Sequence, residues 1–202
     1  MSKMHELCQR LPVEMSGWML HECGDLTNAW RNCPRADWLV VLALRLGIGR
    51  ATVVRATSGL VSAAVAERRA PDLRINRAVV TTLGWLTGRA LAKEAWAAGF
   101  CAMDAAKALR EPLDIATARA AACLAFACDE QADDVFYAHR AYAASAAREA
   151  SGVIGGPAAG ADRIREEIPL SMVLGAFEAM PEALVRVPNT DTFDISANPT
   201  RP

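Results

Sequence analysis

The sequence predicts an all-α fold, and three observations carry that reading. Alanine, the strongest helix former, fills 41 of the 202 positions. Only 6% of residues are aromatic, and runs of Val, Ile and Thr, on which β-sheets depend, are scarce. Apolar residues recur at helical spacing between regular Gly and Pro breaks. Together these describe a single-domain multi-helix bundle of antiparallel helix pairs. A solenoid-like stack of the same pairs is the alternative, although no residue pattern returns at a fixed period.

The elements follow in order. Residues 1–16 mix charges without periodicity and are expected to form a loosely ordered leader. The all-α domain then spans 17–169. Asp25–Asn32 reads as a short helix ending before Cys33-Pro34. Pro34–Leu46 is the next, with Pro in its first turn and Asp37 complementing the positive N-terminus. It is apolar on nearly every side, which suits the middle of a bundle. Gly47-Ile48-Gly49 breaks the chain before Arg50–Glu67. A loop at Pro71 leads to Leu73–Leu86, with Ile75, Val79, Leu83 and Leu86 at core spacing. Thr87-Gly88 ends it, and Ala90–Leu109 follows. Glu111-Pro112 precedes Ile115–Ala127, with Asp114 as its cap. Asp133–Ala150 is a helix, Gly152–Gly160 a flexible loop, and Asp162–Ile168 a short helix. Residues 170–202 read as a C-terminal extension: a helix to Met180, then from Pro188 a disordered tail or an arm on the surface.

Charge narrows the function. The net charge is −1, so bulk charge does not mark a nucleic-acid binder. That near-zero total is a cancellation: residues 35–110 carry +7 and residues 111–202 carry −7. The two segments therefore face each other or water, or supply an acidic face for a basic partner or a basic face for an acidic one. The longest apolar run, Trp38–Leu44, is too short to span a membrane, and the N-terminus lacks a signal-peptide core. Six cysteines form no C-x-x-C, and the size of the core removes the need for disulfides. The expected location is a reducing cytoplasm.

Tests for chemistry return no catalytic residues, metal ligands or cofactor motif. His5, His21 and His139 form no H-E-x-x-H, and no histidine has metal-spaced cysteines nearby. Gly47–Gly49 and Gly155–Gly160 lack the Lys-Ser/Thr of a P-loop and read as turns. Carboxylates cluster once, at Asp129, Glu130, Asp133 and Asp134. They suit the positive start of a helix, or a contact for basic groups of a partner.

The most distinctive stretch is Ala29-Trp30-Arg31-Asn32-Cys33-Pro34-Arg35-Ala36-Asp37-Trp38-Leu39. It resembles the A-W-x-x-C-x-R-A-D-W-L segment of a family of all-α immunity proteins of bacterial polymorphic toxin systems, the fifth immunity family and its relatives. The likeness continues through Arg77, Ala78, Trp85, Leu86 and Gly88, and closes at Arg165-Glu166-Glu167-Ile168-Pro169 in the manner of that family's R-x-x-I-P. It covers roughly residues 24–169.

The resemblance implies a non-catalytic cytoplasmic protein that neutralises a cognate toxin by direct binding. Read physically, Trp30, Cys33, Arg35, Asp37 and Trp38 describe a folding corner: two large anchors on consecutive helices joined at Cys33-Pro34. The alternative functions are a helical scaffold or regulatory adaptor that uses the basic segment 35–110, and a small helical hydrolase.

Overall fold

The computed structural model describes residues 3–69, 71–129 and 138–180. Eleven α-helices, and no strand, occur among them. They are α1 (Lys3–Cys8), α2 (Val13–Trp18), α3 (Leu26–Asn32), α4 (Ala36–Arg45), α5 (Arg50–Ala66), α6 (Leu73–Leu86), α7 (Ala92–Ala108), α8 (Pro112–Phe126), α9 (Ala138–Val153), α10 (Pro157–Glu167) and α11 (Leu170–Ala179). A π-helical turn, Met19–Cys23, continues α2. No helix among the described residues is long and apolar enough to cross a membrane.

Helices α6, α7, α8 and α9 pack against one another in sequence, and α9 then meets α4 and α5 on its other side. Small side chains allow the close approach. Ala118, Ala121, Ala122 and Ala125 of α8, and Ala143, Ala146, Ala147 and Ala150 of α9, are all buried. With so little side chain between them, helix axes draw together and dispersion contacts multiply. Larger groups fill one gap: Trp96, Phe126 and Tyr142 bring their rings to 4.6–6.0 Å of one another and tie α7, α8 and α9. The expectation for Pro34–Leu46 holds for its helical part, α4, where Leu39, Val40, Leu42 and Ala43 are wholly enclosed by its neighbours.

Capping residues place the helix starts. Asp25 accepts the Asn28 N–H at 2.7 Å, and Asp72 accepts the Arg74 N–H at 2.9 Å. Asp72 also holds the Arg74 guanidinium at 2.7 Å, and these bonds hold its carboxyl well below the ordinary range, at about 2. A carboxyl whose pKa is lowered by folding stabilises the fold above its unfolded value and loses that effect as pH falls. The stability difference between the native chain and Asp72→Ala should therefore be greatest above about pH 4 and shrink toward pH 2, read by urea unfolding across that range.

Several boundaries differ from the sequence-based expectation. Helix α4 starts after Pro34 with Arg35 as its N-cap. Helix α8 starts at Pro112 with Glu111 as its N-cap, so Asp114 lies in the first turn and is not the cap. Three further differences are larger. The leader is not loose: Leu7, Cys8, Leu11 and Met15 are buried with the rest of the core. Its apolar positions are too few to show a period, yet each finds a slot in the bundle. Nor does the helix after Pro169 stand apart. Val173 is wholly buried, α11 packs on α3, and Lys3 Nζ donates to the Glu178 carbonyl at 2.8 Å, so the two ends of the described chain meet. The tail from Pro188 lies outside the described residues.

The third difference is Gly152–Gly160. It is not one flexible loop: α9 runs to Val153, and α10 begins at Pro157 after a turn in which Gly155 and Gly156 have φ of 108° and 106°. Gly160 lies inside α10 for a packing reason. A Cβ there would sit 2.8 Å from the Ser151 Cβ and 3.2 Å from the Ala36 Cβ. Gly160→Ala should therefore destabilise the fold by about 2 kcal/mol despite the better helix former. Adding Ser151→Gly should recover part of that loss, and chemical denaturation of the single and double variants measures the coupling.

Candidate functional site

Two constructions draw on the residues singled out in the sequence. The first is the α3–α4 corner. Helix α3 ends on a problem: the Trp30 carbonyl would ordinarily accept the N–H of residue 34, and Pro34 has none. Arg165 of α10 supplies the donor. Its Nε–H bonds the Trp30 carbonyl at 2.9 Å, and its Nη2 bonds the Cys33 carbonyl. Asp162, one turn back, holds the same guanidinium at 2.7 Å. The segments that carry the resemblance at its beginning and end thus meet through one side chain.

Around that junction Trp30, Cys33, Arg35, Asp37 and Trp38 each make a packing or hydrogen-bonding contact. Trp30 is buried in the core, and Cys33 is enclosed with its thiol directed at the Arg35 carbonyl, 3.4 Å away. Burial pushes the Cys33 thiol up to about 11, so it is not a nucleophile near neutral pH. Arg35 grips Asp37 with two hydrogen bonds, at 3.1 and 2.6 Å, and lies 4.5 Å above the Trp38 ring. Trp38 in turn leans on Trp18 at 5.6 Å.

The middle of the motif goes elsewhere. Trp85 lies under the Arg50 guanidinium at 5.6 Å, and Arg50 also donates to the Asp129 carbonyl. Asp129 is thereby fixed next to a cation. The rest of the predicted acidic contact, Glu130, Asp133 and Asp134, lies outside the described residues. Gly88, at φ 71°, forms the turn between α6 and α7, where the Gly84 carbonyl accepts the N–H groups of both Arg89 and Ala90.

That turn closes one end of the second construction, a groove of about 740 Å³ between α6 and α7. Val80, Leu83, Gly84, Ala90, Ala97 and Ala98 form most of its apolar surface. Thr81 and Thr87 spend their hydroxyls on carbonyls of their own helix, at 2.8 and 3.1 Å. Glu94 is spent on the Leu91 N–H at 2.7 Å. The remaining charged groups in the groove are Arg77 and Arg89, both exposed and in no ion pair among the described residues.

Of these, only Arg77 was singled out in the sequence. Leu83, expected in the core, is 41% exposed, and its neighbour Val80 is 66% exposed. The available signal was the run Ala78-Val79-Val80: three consecutive apolar residues span about 200° of a helix, more than one core-facing stripe.

Nothing here assembles a nucleophile with a base. Among the described residues, no three His, Cys, Asp or Glu side chains come together to hold a metal ion. No family model matches the chain, and neither a curated protein nor a solved structure does so.

Proposed function

We propose that the chain is a non-catalytic binding protein: an immunity protein that neutralises a cognate bacterial toxin by direct binding, in the cytoplasm of the cell that makes it. The observation that carries the binding half of this reading is the α6–α7 face. Two of the nine large apolar side chains exposed among the described residues, Val80 and Leu83, line its groove, and Leu73, Leu91 and Phe100 are carried by the same pair of helices and their connection. Scattered apolar residues on a surface need no explanation, but Val80 and Leu83 side by side in a groove suit a protein contact. The immunity half is supported by the resemblance in the Trp30–Trp38 corner and its closing Arg165. Both belong to the α3–α4–α10 corner of the fold. Neutralisation would follow from occlusion, which requires shape and charge complementarity and no chemistry.

Co-expression tests the reading. If a gene adjacent to this one encodes a secreted protein with a C-terminal toxin domain, that domain alone should arrest growth. This chain should restore growth and co-purify with the domain as a stable complex. Arrest unrelieved by the chain, with no complex formed, would overturn the proposal.

The acidic quartet is the second contact on this reading. Asp129→Asn, Glu130→Gln, Asp133→Asn and Asp134→Asn together should slow association with a basic toxin surface by about tenfold at low salt and flatten its salt dependence, with little effect on dissociation. Stopped-flow binding across a salt series measures both effects.

A further inference from the structure

The α6–α7 groove specifies the chemistry of what it binds. Val80, Leu83 and Ala97 share its lining with polar groups. Its hydroxyls and the Glu94 carboxylate are hydrogen-bonded within the protein. The exposed Cys101 thiol and two guanidiniums are left, so the basic groups outnumber the one acidic group. Guanidinium forks pair strongly with carboxylates and phosphates, often through two parallel hydrogen bonds, and the apolar side chains beside them favour a peptide carboxylate. Val80 and Leu83 beside them offer apolar contact to the same partner. The two arginines also stand apart. Arg77 is in the first half of α6, and Arg89 is in the turn after its end. At the rise of an α-helix their backbones are separated by roughly 15 Å along the groove. A small anion would satisfy one of them, whereas a peptide segment spans both.

We infer that the α6–α7 groove is a docking site for an acidic, amphipathic segment of the partner protein, with apolar side chains on Val80 and Leu83 and carboxylates toward both ends, on Arg77 and Arg89. This rests on reading the chain as a binding protein and adds the contact face and the partner's chemistry. It also gives a use to the basic excess of residues 35–110, within which both helices fall.

The experiment is selection of random peptides of about sixteen residues, displayed on phage, against the immobilised full chain. Arg77→Glu/Arg89→Glu is screened in parallel. Both positions are exposed, so the double variant should keep its helical circular dichroism and melting temperature. Selected peptides should interleave Asp and Glu with large apolar residues. Their synthetic copies should bind the double variant at least about tenfold more weakly. Ala97→Trp, which fills the groove from an exposed position, should block binding while leaving both arginines in place.

Four results would overturn the inference. One is the absence of any selected sequence. Another is a consensus that is basic or uncharged. A third is equal binding by the double variant. The fourth is a dimer in light scattering that Ala97→Trp dissociates, which would make a second copy the occupant. Any of these beside successful toxin neutralisation removes the groove alone. Failed neutralisation beside an acidic consensus removes the toxin and retains the groove.

Discussion

Trp30→Ala is expected to lower the unfolding free energy by about 3–5 kcal/mol, the largest effect of any single change considered for this chain. Trp30 is only 2% exposed and is the largest of the fully buried side chains. Truncation removes the transfer free energy of the indole and leaves a cavity, which the surrounding framework relaxes into only partly. Relaxation is restricted here because the Trp30 backbone is pinned by Arg165, 135 residues further along the chain. A urea or guanidinium titration followed by circular dichroism reads the loss as a lower midpoint at unchanged slope. Trp30→Phe, which keeps an aromatic ring in the slot, should lose clearly less. A midpoint within error of the native chain for Trp30→Ala would show that the corner is not part of the cooperative core.

Arg165→Ala should cost about 3 kcal/mol, by a different route. The substitution leaves the carbonyls of Trp30 and Cys33 without their charged donor, and Pro34 cannot replace it. Hydrogen bonds to a charged group are worth roughly 1.5–3 kcal/mol each, more than neutral ones. Arg165→Lys should recover only part of the loss, because an ammonium is a compact point charge without the guanidinium fork. Asp162→Ala is the contrasting control. Asp162 is 73% exposed, and its ion pair with Arg165 should contribute about 0–1 kcal/mol. Equal losses for Arg165→Ala and Asp162→Ala would mean that the ion pair, and not the capping of the corner, is what Arg165 supplies.

What the sequence revealed, and what it did not, separates by range of interaction. Helix type follows from alanine content and periodicity, and the breaks at Gly47, Pro71, Gly88 and Pro112 follow from backbone chemistry that acts within a few residues. Trp30 was recognisable as an anchor from its size and setting. Arg165 was recognisable as part of a resemblance but not as a cap for α3, because its partners lie 135 and 132 residues away. The buried leader escaped notice for the same reason: Leu7 and Met15 gain their meaning from helices distant in sequence.

Gly160 looked like flexibility because glycine is a helix breaker in isolation. Only the placement of Ser151 and Ala36 shows that it is a point of close packing. The groove was hidden by an assumption that apolar residues at helical spacing face one core. Leu83 fits that spacing, yet it faces outward because α6 buries one stripe and exposes the next.

The bond from Arg165 to the Cys33 carbonyl closes a span of 132 residues. During synthesis at about 5–20 residues per second, the corner emerges from the ribosome roughly 7–26 s before the arginine that completes it. Over that interval the Arg165 donor for the Trp30 and Cys33 carbonyls is absent, so this contact of the corner can form only after α10 is made. A truncated product that stops short of α10 would carry the most distinctive residues of the protein in an open corner, with apolar surface available to chaperones and proteases. A chain without α10 lacks the side chain that bonds the Trp30 and Cys33 carbonyls.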